Sequence, residues 1–140
     1  MSDLNTRAVV IGSLVDIVGS FILGELFYAA IGAASGATSA EELTALLDAS
    51  IPLQLATLAL GLVMTGTGAY VAARMASGLE RPHGFAVGVI STAIGFTIVF
   101  AAPESGPFWS QASSLLLTIP AAFAGGEIRR MTGRGGRRPR

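Results

Sequence analysis

The chain has 140 residues, of which 51% are hydrophobic and only 13% charged, and its formal net charge is zero at pH 7. About a quarter of the residues of a soluble domain are charged, so this composition argues against an ordinary water-soluble domain. Cysteine is absent, which excludes a disulfide framework and thiolate metal sites.

Four apolar runs are long enough to cross a bilayer, at about 8–34, 51–73, 84–102 and 108–125. A membrane helix needs roughly 20 residues to span about 30 Å of hydrocarbon. The chain lacks the polar and apolar alternation of a membrane β-barrel, so each run is predicted to be helical. The predicted fold is all-α: a polytopic membrane protein with one four-transmembrane-helix bundle over residues 1–127.

The first run also has an alternative interpretation as a cleavable signal peptide, because small residues lie at its end, at Ala33, Ala34 and Ser35. A signal core has about 7 to 15 apolar residues. This run is longer and contains Asp16 and Glu25, so we favour a span.

The positions of arginine relative to the runs predict the orientation. Arg7 precedes the first run, Arg74 and Arg81 lie between the second and third, and an arginine-rich tail follows the fourth. The other two loops contain acidic residues and no arginine. Basic loops stay in the cytoplasm, so both termini are predicted to be cytoplasmic.

The first outer loop is predicted to hold a short helix at about 39–48. Ser39 and Glu42 have the spacing of a capping box, and Leu43, Leu46 and Leu47 share one helical face. We expect this helix to lie on the outer membrane surface, where it acts as a cover for the loop rather than as a ligand-binding element.

Small residues form a stripe along every predicted span, which allows the close backbone approach on which membrane helix packing depends. The predicted packing glycines are Gly12, Gly19, Gly61, Gly68, Gly84, Gly88 and Gly95. The series Gly12, Asp16 and Gly19 recurs as Gly88, Thr92 and Gly95. This repetition suggests two helical hairpins in parallel repeat, although glycines coincide readily by chance in apolar helices.

Asp16 is the candidate for intramembrane chemistry. It lies about 12 Å inside the first span, where an ionised carboxylate without a partner costs at least about 3 kcal/mol. Hydroxyl groups of the other spans reach a similar depth, at Thr65, Ser91, Thr92 and Thr118. The predicted polar layer is either a proton or cation site or a neutral hydrogen-bonded contact between helices, and the second interpretation is favoured.

Three other polar residues receive structural interpretations. Glu25 is expected on the opposite face of the first helix from Asp16, near the outer interface, reaching headgroups or a second protein. Gln54 is a helix-bonding candidate near the outer end of the second span. His83, the single histidine, is expected to be solvated in a cytoplasmic turn.

No catalytic motif occurs in the chain. A phosphate loop, a nucleophile elbow and paired metal-ligating residues are all missing from the sequence, so the protein is predicted not to be an enzyme, with no catalytic residue, no cofactor and no metal site.

Residues 128–140 are predicted to form a disordered cytoplasmic tail. Directly after a span, its arginines are interpreted as lipid headgroup contacts and a topology signal rather than as a nucleic-acid site. They are Arg129, Arg130, Arg134, Arg137, Arg138 and Arg140.

A short pattern joins the second and third runs. Gly68, Tyr70 and Arg74 precede the turn, and His83 and Gly84 follow it. This pattern resembles small uncharacterised bacterial four-helix integral membrane proteins and covers about a sixth of the chain. The resemblance implies a four-helix architecture and the bacterial inner (plasma) membrane, without an activity, and it does not extend to Asp16.

Two functions therefore stay open. The favoured one is a structural or interaction subunit of the inner membrane, which contacts membrane lipids and a membrane protein partner or a second copy of itself. The alternative is a minimal proton- or cation-coupled transporter or channel that uses Asp16. A water-filled cavity beside Asp16 would favour the transporter, whereas dry packing would favour the subunit.

Overall fold

The fold is described from a computed structural model, which describes residues 4–76, 78–102 and 106–134. All regular elements in these ranges are helices, so the prediction of an all-α protein is confirmed. The sequence-predicted residues Arg137, Arg138 and Arg140 lie outside the described residues.

Five helices follow one another along the described chain. They are α1 (Thr6–Ser35), α2 (Ala40–Ala49), α3 (Ile51–Met75), α4 (Glu80–Ala101) and α5 (Phe108–Arg134). Three of them, α1, α3 and α4, are long and apolar enough to cross a membrane. Helix α5 is equally long but less apolar, because its first turns carry Ser110, Gln111, Ser113 and Ser114.

The helix ends are set by local capping. The side chain of Asn5 accepts a hydrogen bond from the Ala8 N–H (3.2 Å), which satisfies one of the free donors at the start of α1. Helix α1 ends at Gly36, whose φ of 73° favours glycine. The Ser39 hydroxyl accepts from the Glu42 N–H (3.2 Å), so α2 begins at the predicted cap.

The four long helices run in alternating directions. Helix α1 begins beside the end of α3, because Gly12 lies against Gly68 and Ala72. Helix α4 begins beside the end of α5, where Gly84 lies against Gly126. We call this end of the bundle the termini end and the opposite end, which carries α2, the loop end.

The buried residues lie mainly in the half of the bundle near the termini end. In α1 they lie between Ala8 and Asp16, and in α4 between His83 and Gly88. In α3 all but Gln54 lie between Thr65 and Ala73. Large side chains nearer the loop end remain exposed, among them Phe21 (68%) and Phe100 (81%). The bundle is therefore tightly packed at one end and open at the other.

Glycine allows the closest helix contacts. A Cβ atom on Gly12 would lie 2.7 Å from the Ala72 Cβ, and one on Gly88 would lie 2.8 Å from the Ala122 Cβ. Both distances are shorter than carbon atoms can approach, so no side chain would fit at either position. Helices α1 and α3, and likewise α4 and α5, are therefore in direct contact at these glycines. Gly84 is similarly tight, since its Cβ would lie 3.0 Å from the Ala122 oxygen.

The remaining predicted packing glycines behave differently. Gly19 faces the flexible end of Met64, and a Cβ on Gly95 would lie 3.0 Å from a methyl group of Leu115. Gly61 has no atom within 4 Å of its added Cβ, so the structure corrects the prediction that it packs. Gly125, which belongs to the small-residue stripe of the fourth run, lies directly against the backbone of Gly66.

Helix α5 extends through Arg134, which corrects the predicted boundary of the disordered tail at residue 128. The extension is supported by ion pairs on the helix surface. Glu127 and Arg130 are three residues apart and pair with each other, which stabilises a helical turn.

A candidate intramembrane carboxylate site

Asp16 is 3% exposed and accepts hydrogen bonds from three hydroxyl groups. The Thr65 hydroxyl on α3 donates to Oδ1 (3.0 Å), and the Ser20 hydroxyl, one turn along α1, donates to the same oxygen at 3.4 Å. Ser91 on α4 donates to Oδ2. Hydroxyl groups from three helices, α1, α3 and α4, therefore donate to one carboxyl group.

The glycine contact between α1 and α3 brings these groups together. A Cβ on Gly68 would lie 2.8 Å from the Asp16 Cβ and 3.1 Å from its backbone nitrogen, so the two helices meet directly at this level. Thr65 precedes Gly68 by one helical turn on the same face of α3. Its hydroxyl therefore reaches Asp16 because no side chain separates the helices.

The carboxyl group borders an open cavity of about 530 Å³ between α1, α3, α4 and α5. The cavity extends from Asp16 to Gly106 and Gln111 at the loop end. Half of the lining residues are polar: Asp16, Ser20, Thr57, Thr65, Ser91, Ser110, Gln111, Ser114 and Thr118. Most of the exposed lining surface is nevertheless apolar, so the arrangement combines a deep carboxyl group with a partly polar volume large enough to hold several water molecules.

Two residues of the predicted polar layer do not bond to Asp16. Thr118 lines the same cavity, but its hydroxyl donates to the Ser114 backbone oxygen of its own helix (2.6 Å). The Thr92 hydroxyl is buried and has no hydrogen-bond partner among the described residues. The prediction from sequence did not name Ser20 as a hydrogen-bond partner of Asp16, although Ser20 lies four residues along the helix and therefore on the same face.

His83 is 1% exposed, so the prediction of a solvated histidine is wrong. It lies in the first turn of α4 rather than in a loop. Its Nε2 accepts a hydrogen bond from the Asn5 backbone N–H (2.8 Å), and its Nδ1 lies 2.8 Å from the Leu79 oxygen. A ring with one accepting and one donating nitrogen is neutral, and it joins the start of α1 to the start of α4.

Gln54 is 8% exposed and holds α2 against α3. Its amide nitrogen donates to the backbone oxygens of Leu47 (3.2 Å) and Asp48 (2.6 Å). These oxygens belong to the last turn of α2, where carbonyl groups have no partner within the helix. Gln54 therefore caps α2 rather than bonding two long helices.

Charged side chains form a cluster at the termini end. Glu127 pairs with Arg130 of its own helix and with Arg81 of α4, whose Nε lies 2.6 Å from Glu127 Oε2. The Arg81 guanidinium also lies 5.7 Å from the centre of the Phe123 ring. Hydrogen bonds from Arg130 and then from Arg81 lower the pKa of Glu127 to about 2. Arg130 thus has a partner within the protein, and its contact with lipid headgroups stays a prediction.

Among the described residues, no three His, Asp or Glu side chains are grouped closely enough to hold a metal ion. Comparison of the chain with protein-family models, with curated proteins and with solved structures gives no match.

Proposed function

We propose that the protein is a minimal proton- or monovalent-cation-coupled transporter or channel with Asp16 as its ion site. The observation that supports this is the position of Asp16 at the deep end of a cavity of about 530 Å³, half of whose lining residues are polar. A carboxyl group that served only to join helices would be expected to have packed surroundings.

The chemistry of the site suits a small cation. No cationic side chain pairs with Asp16 within the described part of the chain. An ionised carboxylate at this depth is costly, so a bound proton or cation would stabilise it. A hydroxyl group donates its O–H to an anion, and it can also rotate so that its oxygen coordinates a cation. The same hydroxyl groups can therefore stabilise the site both without and with a bound cation; they belong to Thr65, Ser91 and Ser20.

The proposal includes the arrangement of the protein in the membrane. Helix α5 is taken as the fourth span, because it is as long as the others and packs beside α3 and α4. The termini end, which carries Arg7, Arg74 and Arg129, is assigned to the cytoplasm. The membrane is taken as the bacterial inner membrane, and the acidic helix α2 then lies at its outer surface.

The proposed parallel repeat remains compatible with the helix contacts. In each hairpin, a glycine of the first helix lies against an alanine of the second: Gly12 against Ala72, and Gly88 against Ala122. The two hairpins would then form the inner closure of the cavity together. Transport across the membrane would require these small-residue contacts to separate, since they lie between Asp16 and the cytoplasm.

The second candidate function is a structural or interaction subunit. An apolar groove of about 470 Å³ lies between α3 and α5, lined by residues that include Leu62, Tyr70 and Ile128. Gly66 and Gly125 lie at its floor, where small residues would allow a further transmembrane helix to approach. A partner protein or a second copy of this chain would fit this surface.

A flux measurement with Asp16→Asn separates the two functions. Asparagine retains hydrogen-bonding groups but cannot release a proton or supply a negative charge. Purified protein is reconstituted into liposomes, and uptake of protons or of labelled sodium is followed under an imposed membrane potential. We expect uptake above that of empty liposomes for the parent protein and none for Asp16→Asn.

Glu41→Gln is the matched control, because Glu41 is an exposed acid on α2, remote from the cavity. Its flux should equal that of the parent. A parent protein that conducts no more than empty liposomes, or an Asp16→Asn variant with full flux, would exclude the transporter and leave the subunit.

A further inference from the structure

A second cleft lies between the outer parts of α1 and α3. It has a volume of about 280 Å³ and borders Glu25, Tyr28 and Thr57. On α1 its wall is formed by Phe21, Gly24, Glu25 and Tyr28, whose spacing of three and four residues places them on one helical face. The cleft shares Ser20, Phe21, Thr57 and Gly61 with the Asp16 cavity, so the two spaces adjoin.

Glu25 has no hydrogen bond or ion pair within the described part of the chain. It lies nine residues beyond Asp16 on the same helix, or about 14 Å closer to the loop end. A carboxylate inside a membrane-spanning helix is expensive unless an opposite charge lies beside it. The described part of the chain supplies none at this level, because its arginines lie in the helix turns at the termini end.

Aromatic side chains determine which cation the cleft would prefer. Phe21, Phe27 and Tyr28 all line it, and the rings of Phe27 and Tyr28 lie 6.2 Å apart. A hydrated inorganic ion gains little from such walls. An organic ammonium gains both the attraction of the carboxylate and cation–π contacts with the rings, and its apolar substituents remain in an apolar surrounding.

We propose that this cleft binds an organic ammonium group, with Glu25 as the counter-charge and Tyr28 as an aromatic contact. The ammonium could be carried by a free solute or by the headgroup of an outer-leaflet phospholipid, since both present the same chemistry at this depth. The proposal does not depend on transport through Asp16, because it rests on a different carboxyl group, Glu25, and on the aromatic contact of Tyr28, neither of which lines the Asp16 cavity.

Binding of radiolabelled phenyltrimethylammonium to the intact protein in phosphatidylglycerol nanodiscs tests the proposal. We expect saturable binding to the parent. Removing a unit charge about 5 Å from the ligand at an intermediate dielectric should weaken binding on the order of 10- to 100-fold in Glu25→Gln. Tyr28→Leu, which keeps the cleft apolar, should weaken it by about 2- to 30-fold through the loss of one cation–π contact.

Glu41→Gln serves as the control and should bind as the parent does, because Glu41 does not line the cleft. Nanodiscs that contain phosphatidylethanolamine distinguish the two sources of ammonium. If the parent binds the probe more weakly in these discs and Glu25→Gln shows no such decrease, the site is assigned to the lipid headgroup. If the parent binds the probe equally in both discs, the site is assigned to a free solute. Parent-like binding by both Glu25→Gln and Tyr28→Leu, or equal displacement of the probe by sodium, would overturn the proposal.

Discussion

Replacement of Gly68 by alanine should destabilise the bundle more than the same replacement at Gly61. The new methyl group at Gly68 would lie 2.8 Å from the Asp16 Cβ and 3.1 Å from the Asp16 nitrogen, and closer still to the Gly12 oxygen. Two of these neighbours are backbone atoms, which cannot rotate away. Helices α1 and α3 would have to separate.

The size of the effect follows from two opposing terms. Overpacking of a tight interior costs about 1–3 kcal/mol. Alanine gains about 1 kcal/mol over glycine in a helix. At Gly61 nothing lies within 4 Å of the added carbon, so only the gain remains. The two variants should therefore differ by about 1–3 kcal/mol, with Gly61→Ala at least as stable as the parent.

Thermal unfolding in detergent micelles, followed by circular dichroism, measures this difference. Gly68→Ala should also weaken the contact between Thr65 and Asp16, because the separation occurs one turn away. Equal unfolding temperatures for the two variants would show that α1 and α3 do not meet at Gly68, and the described geometry of the carboxyl site would be refuted with it.

Two further predictions concern the termini end. His83→Ala removes a buried ring and leaves the Asn5 N–H without its acceptor in a half-buried contact, so it should lower the stability in detergent by about 1–3 kcal/mol; an unchanged unfolding temperature would argue against the buried histidine. Glu127 has a pKa lowered from 4.5 to about 2, so its ion pairs stabilise the fold above about pH 4.5 and lose this effect as the pH falls towards 2. The stability difference between the parent and Glu127→Gln should be constant near neutral pH and shrink across this acidic range, whereas a pH-independent difference would contradict the pairing.

The sequence was sufficient to predict helical structure and its order along the chain. The reason is local: an apolar segment without water must satisfy its own backbone hydrogen bonds, and a helix does so within itself. The start of α2 is similarly local, because the Ser39 cap and the Glu42 side chain are neighbours in sequence. Such features need no information about distant residues.

Depth along a helix is also readable from sequence, but rotation is not. Counting residues places Ser91 and Thr92 at nearly the same height as Asp16. Adjacent residues point about 100° apart, so only one of them can face the carboxyl group, and the packed bundle selects Ser91. The unpartnered Thr92 hydroxyl is the consequence of that choice.

The open loop-end half and the burial of His83 were decided by the tertiary structure alone. Gly12, Gly68 and Gly88 bring the helices together near the termini end, whereas Gly61 meets no neighbour and leaves space for the cavity. Glycines of the same small-residue stripe can therefore either pack against a neighbouring helix or border open space. Which of the two occurs depends on how far apart the helix axes lie at the level of that glycine. That distance is a property of the whole bundle, and no single segment of sequence contains it.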